Sequence, residues 1–149
     1  MIHIKSANID NLELLSILFN QYRIFYRMPS ELERTRVFLS ARIKNKDSEI
    51  FIAENNKSEL MGFVQLYPIF SSTRMKRLWL LNDLFVDLPH RNKQISIQLI
   101  SRCKQLCRDT DACGLILETE KTNVIGNALY LKTDFILDLE HNYYAWDIV

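Results

Sequence analysis

The sequence predicts an α/β protein of the α+β layered kind, helices packed on a mixed sheet, in one domain covering residues 1–149. Three observations lead there. Apolar residues recur at helical spacing in some segments and as short β-promoting runs in others, in the order β-α-α-β-β-β-α-β-α-β. No repeat, low-complexity tract or Pro/Gly/Ser linker divides the 149 residues, a length that suits one domain with a real core. A hydrophobic content of 48% with 25% charged residues is ordinary for a globular protein.

Each element has its own warrant. Residues 2–6 alternate weakly and read as a first strand. Asp10 stands three residues before Glu13, a capping arrangement, and Leu12, Leu15, Leu18, Phe19, Tyr22, Phe25 and Tyr26 follow at helical spacing. Pro29-Ser30 breaks that helix, and Ser30-Glu31-Leu32-Glu33 is a capping-box signature for a second, ending near Lys44. Ile50 to Ala53 and Leu60 to Tyr67 form a hairpin around the turn Asn55-Asn56-Lys57-Ser58. A loop from Pro68 to Met75 leads to a long apolar strand, Leu78 to Val86, interrupted by the polar pair Asn82-Asp83. Ile95, Leu99, Ile100, Cys103, Leu106 and Cys107 mark the apolar face of a helix ending near Asp109. Leu115-Ile116-Leu117 reads as a buried strand, residues 123–132 as a helix, and Tyr143 to Val149 as a closing strand.

Composition also excludes classes. Nineteen basic and eighteen acidic residues give a net charge of +1, which offers nothing to nucleic acid or an anionic membrane surface. No run approaches the roughly 20 apolar residues needed to span a bilayer, and the N-terminus lacks the apolar core of a signal peptide. Three cysteines, an odd number, argue for reduced thiols and a cytoplasmic location. His3, His90 and His141 are scattered and make no metal site with them. Only three glycines occur, where average usage would give about ten.

The run Leu81-Asn82-Asp83-Leu84-Phe85-Val86-Asp87-Leu88-Pro89-His90-Arg91 resembles the central strand and exit loop of the GNAT N-acetyltransferases. Leu117-Glu118-Thr119, Asn123 and Ala128-Leu129-Tyr130 are similar to that family's later strand and helix. Gln21 to Tyr26 and Gln65-Leu66-Tyr67-Pro68 resemble one bacterial branch, so the likeness covers nearly the whole chain. It implies a mostly antiparallel central sheet with helices on both faces, and acetyl-CoA as co-substrate without a metal.

The family's loop has the form Arg/Gln-x-x-Gly-x-Gly/Ala and opens a helix whose N-terminus binds the cofactor's pyrophosphate. The physical basis is general: unpaired N–H groups and a partial positive charge attract phosphate, and glycines let the backbone come close. Here Arg91 takes the basic position, Asn92, Lys93 and Ile95 the variable ones, and Gln94 and Ser96 the two glycine positions. The Cβ of Gln94 either narrows the pyrophosphate site or imposes another loop geometry, while the charges of Arg91 and Lys93 add phosphate affinity. Asp134 is a third departure, standing before Phe135 where the family has glycine.

The resemblance also implies roles. Leu84, Phe85 and Val86 would present main-chain groups to the cofactor, with an oxyanion donor around Phe85 and Val86. Tyr130 would be the acid for the departing thiolate, and Asn123 a contact to the pantetheine arm, although Asn123 equally suits an N-cap. Asp83, an acid inside an apolar strand, and Glu118 are alternative bases, with a water chain or structural salt bridges as competing accounts. Tyr22, Tyr26, Gln65, Tyr67, Phe70, Trp79 and Asn82 would wall the acceptor site, suiting a small or amino-acid-like amine held against aromatic faces. Two functions stay open: transfer of an acetyl group to a small-molecule or peptide amine, and binding of acyl-CoA or a protein partner without turnover. The apolar C-terminal strand ending in Trp146-Asp147-Ile148-Val149 offers an edge for a homodimer.

Overall fold

The structure is a computed structural model that describes all residues 1–149. The chain divides into two compact units, Met1–Glu118 and Thr119–Val149. The first contains β1 (Ile2–Ser6), α1 (Leu12–Phe25), α2 (Leu32–Asn45), β2 (Glu49–Asn55), β3 (Leu60–Ser71), β4 (Lys76–Val86), α3 (Ile95–Asp109) and β5 (Leu115–Ile116). The strands lie in the order β1-β2-β3-β4-β5. The first four pair antiparallel, and β5 joins β4 in parallel through two residue pairs. The mixed, mostly antiparallel sheet is therefore present.

Strand alternation sends successive side chains to opposite faces. Ile50, Ile52, Phe63 and Phe85 form a core with Leu15, Leu18 and Phe19 of α1 and Leu39 of α2. Phe51 points the other way, where the Arg102 guanidinium of α3 lies 4.3 Å from its ring centre. Helices thus cover both faces. Leu15, Leu39, Ile52 and Phe63 are completely buried, each burial contributing about 1.5–3 kcal/mol. Cys103 is buried within α3, and burial pushes its thiol up to about 12. No helix is long and apolar enough to cross a membrane.

Several local expectations are corrected. Asp10 does not cap α1 but lies inside a short 3-10 turn, Ile9–Asn11, whose cap Asn8 accepts from Asp10 N–H while Asn11 accepts from Asn8 N–H. Ser30 does not cap α2, because its hydroxyl accepts a bond from Asn20 Nδ2 at 2.9 Å. β3 runs through Pro68 to Ser71, where a loop was expected. Its pairing with β2 ends at Leu66, so beyond that point the missing N–H of proline interrupts no ladder on that side. β5 is only two residues long with Ile116 partly exposed, and Glu118 lies beyond it in exposed chain.

The second unit contains α4 (Val124–Lys132) and a C-terminal segment without regular structure. The strand expected over Tyr143–Val149 does not form. Alternating apolar residues make a strand only when a neighbouring strand completes the ladder, and no pairing includes this segment.

Candidate active site

β4 is irregular where the sequence is polar. Its register against β3 shifts between Gln65 and Leu66, so Gln65 faces Asp83, Leu66 faces Leu81, and Asn82 is the extra residue of a bulge. The bulge re-aims Asn82 and Asp83 into a cavity of about 330 Å³ between the sheet and the layer of α1 and α2. Tyr67 completes the strand wall.

Asp83 is almost fully buried. Its carboxylate accepts from Gln65 Nε2 at 3.0 Å, from Asn82 Nδ2 at 3.1 Å and from the Tyr22 hydroxyl. Gln65 is held in turn by the Ser48 hydroxyl at 3.0 Å. Burial raises the Asp83 carboxyl above its ordinary range, against the lowering effect of these three neutral donors. Asp83 makes no salt bridge with Arg77, the nearest basic residue of its strand, which stacks between Phe70 and Trp79, 5.2 Å from each ring centre. Tyr67 is pushed up to about 12 by burial and then by the nearby Asp83 charge, so it remains a neutral phenol.

The helix wall comes from α1 through Phe19, Tyr22 and Arg23, and from the start of α2 through Glu31, Arg34, Thr35 and Phe38. Its connection is fixed by hydrogen bonds. Glu31 N–H donates to Asn20 Oδ1 at 2.9 Å, and Arg23 donates to Pro29 O at 3.1 Å and to Glu31 Oε2 at 2.7 Å. Arg34 bonds the other carboxylate oxygen, and first Arg34, then Arg23, holds Glu31 below the usual carboxylate range. Of this wall, sequence reasoning found Tyr22 and missed the rest, because charged residues on amphipathic helices look like solvent-facing ones. The usable signal was the spacing of 31, 34, 35 and 38, which puts them on one face of α2.

β4 then delivers the chain to the loop before α3. After Leu80 no strand pairs its β5 side. Asp87 N–H donates to Met61 O of β3 at 2.9 Å, so by alternation Leu84 and Val86 direct their main-chain groups to the open edge, and Phe85 faces β3. Val86 O accepts from Arg91 Nε at 3.1 Å, and the Arg91 guanidinium lies 5.4 Å and 5.6 Å from the ring centres of Phe25 and Phe85. Lys93 Nζ donates to Pro89 O at 3.2 Å. Asn92 and Gln94 have φ of 61° and 62°, the left-handed region that favours glycine. Gln94 is the N-cap of α3 and makes no side-chain cap bond, so its amide does not occupy the N–H groups of the first turn. Ile95 is buried beneath the loop, and Ser96 is half-buried beside it. The backbone therefore follows the path a glycine would take, and the N-terminus of a 15-residue helix fits a phosphate group.

The second unit carries the other two candidates. Asn123 caps α4: its Oδ1 accepts from Gly126 N–H at 3.0 Å, and its Nδ2 donates to Thr119 Oγ1 at 3.0 Å. Tyr130 lies in the last turn, where Phe135 N–H donates to Tyr130 O at 3.0 Å and Asp134 N–H to Leu131 O at 3.2 Å. With Asp134 at φ 64° this is a Schellman motif, and Phe135 packs edge-on against the Tyr130 ring at 5.7 Å. Asp134 thus also holds the conformation expected of glycine.

The remaining expected residues do not line the cavity. Tyr26 packs on Tyr22 at 5.1 Å, and Phe70 is exposed on the Arg77 stack. Trp79 is buried with its Nε1 on Thr110 Oγ1 at 2.9 Å, next to the C-terminus of α3. Glu118 is exposed. No cluster of three or more His, Cys, Asp or Glu residues is placed to hold a metal.

Known proteins of this architecture match the chain closely. The model of the acetyltransferase (GNAT) family matches residues 13–135. An uncharacterized N-acetyltransferase of Bacillus subtilis strain 168 is 41% identical over 147 residues, 98% of this chain and 97% of its own. A probable acetyltransferase of Haemophilus influenzae is 36% identical over 108 residues, 72% of this chain and 74% of its own. A crystal structure of a probable acetyltransferase superimposes with a TM-score of 0.94 at 36% identity, covering 99% of this chain and 98% of that one.

Proposed function

Since the chain belongs to the GNAT family of acetyltransferases, we propose that it transfers an acetyl group from acetyl-CoA to the primary amine of a small molecule, by direct attack. One observation carries the reading. A single strand supplies Asp83 to the cavity and then an open main-chain edge at Leu84 and Val86, and the loop that follows it ends at the left-handed Gln94 that opens α3. A related fold, from Clostridium acetobutylicum, is described with acetyl-CoA bound; it superimposes with a TM-score of 0.78 at 16% identity.

Bound acetyl-CoA would supply the activated acyl group as a thioester. The N–H groups opening α3, with Lys93, hold the pyrophosphate by charge and hydrogen bonds. Arg91 clamps the loop to β4 through Val86 O and adds its positive charge. The N–H groups of Leu84 and Val86 on the edge that no strand pairs orient the thioester oxygen. An amine attacks only when neutral, so Asp83, with its raised pKa, takes the proton from the incoming ammonium at its carboxylate, directly or through water. The acid for the departing sulfur is Tyr130, a role supported by its match to the family's tyrosine position. The 330 Å³ cavity is at the small end for ligand sites, which favours a small acceptor over a peptide.

Calorimetric titration with acetyl-CoA, alongside CoA alone, tests the cradle. Binding in the micromolar range is expected, weakened about tenfold or more in an Arg91→Ala, Lys93→Ala double variant. Absence of heat at millimolar acetyl-CoA would mean that Gln94 closes the site and that the transferase reading fails.

A further inference from the structure

The acceptor cavity has a charge pattern of its own. On its sheet wall stands one buried carboxylate, Asp83, whose partners are the neutral groups of Gln65, Asn82 and Tyr22 and include no cation. On its helix wall stand two guanidiniums, Arg23 and Arg34, which share the single carboxylate of Glu31. One positive charge is therefore in excess on the helix side and one negative charge on the strand side. Between the guanidiniums and the aromatic Phe38, along the same face of α2, is Thr35. It is 3% exposed, and its hydroxyl has no hydrogen-bond partner within the protein.

A buried hydroxyl without a partner is destabilising, and a buried carboxylate without a cation is more so. Both debts are removed by one kind of ligand. We propose that the acceptor is a small zwitterionic amino acid, its ammonium toward Asp83 and its carboxylate toward Arg34, Arg23 and the Thr35 hydroxyl. The rings of Phe19 and Phe38, with centres 6.1 Å apart, give its side chain an apolar surface. A polyamine lacks the group that the helix wall is built to receive. A peptide N-terminus has an amide where the carboxylate should be. This inference rests on the transferase reading for its chemistry, but the recognition pattern is a statement about binding and is testable apart from it.

The probe is a panel of free L-amino acids, their C-terminal amides, and simple alkylamines, offered with acetyl-CoA while release of the CoA thiol is followed. Free amino acids should be acetylated at least tenfold more efficiently than their amides. Arg34→Gln, at a largely exposed position that can be changed without risk to folding, should raise KM for free amino acids about tenfold. Thr35→Val should raise it several-fold. In both, kcat should stay within about twofold, and values for the amides should not move. Binding of the same panel without acetyl-CoA, followed by ligand-observed NMR, separates the two ideas. Amino acids that bind but are never acetylated would sink the transferase reading and leave this one standing. Amides or alkylamines acetylated as well as amino acids would overturn this inference and leave the transferase standing. An Arg34→Gln effect equal for amino acids and amides would overturn it as well, as would no binding of any amino acid.

Discussion

At Gln94 a side chain sits on backbone of the type that glycine adopts without strain, a conformation costing roughly 1–2 kcal/mol for other residues. Gln94→Gly removes both this cost and the Cβ beside the cradle, while adding about 0.5–1 kcal/mol of unfolded-chain entropy. Calorimetry should therefore show tighter acetyl-CoA binding with stability within about 1 kcal/mol of wild type. Asp83 gives a pH signature. Its folded pKa is raised by burial, so the folded protein holds this proton more tightly than the unfolded chain. That contribution is full below the ordinary aspartate value near 3.9 and is lost as pH rises through the folded pKa. Over that interval the Tm of wild type should fall relative to Asp83→Asn, and the acid limb of kcat/KM should disappear in the variant, with kcat reduced about 10²-fold or more. Asp83 was legible in the sequence because an acid inside an apolar strand demands an explanation. Thr35 and Arg34 were not read, because their spacing groups them on one face but only the packing of α2 buries Thr35 beside the cavity and leaves Arg34 at its exposed rim.

Among the elements, Gly62 of β3 holds a close approach that no side chain permits. A Cβ there would meet Phe85 O at 2.8 Å and Ile95 Cγ2 at 3.4 Å, at the end of β4 and in the first turn of α3. Gly62→Ala should push these apart and weaken acetyl-CoA binding about tenfold while leaving the acceptor wall of α2 untouched, which titration with each ligand would separate. At α4, Asn123→Ala removes a cap and should cost about 1 kcal/mol in denaturant unfolding. Retained turnover in that variant would argue that Asn123 serves the helix alone. The helices were readable because their apolar spacing is local information. The cap of α2 was misassigned because Ser30 and Glu31 answer to partners on the preceding helix, Asn20 for the first and Arg23 for the second, and the cap before α1 was misplaced because an unforeseen 3-10 turn, capped by Asn8, precedes that helix.

For the molecule as a whole, the C-terminal segment is the outstanding surface. Ile136, Leu139, Tyr144, Trp146 and Ile148 are each more than four-fifths exposed. Apolar area on this scale marks interaction sites in stable proteins. Light scattering is therefore expected to give a mass near twice 17.7 kDa, and a monomer at all concentrations would overturn the homodimer expectation. The missing closing strand has the same origin: pairing needs a second edge, and one chain's sequence cannot say whose. β4 shows how far a small irregularity reaches. On the sheet side of Asn82 that holds Trp79 and Leu81, odd-numbered side chains face the α3 layer; past it, Asp83 and Phe85, also odd-numbered, face α1 and α2. The extra residue acts on the strand as a frameshift acts on a reading frame. Substituting Asn82 alters one letter, but deleting it would rewrite the parity of half a strand, sending either the tryptophan or the carboxylate to the wrong layer.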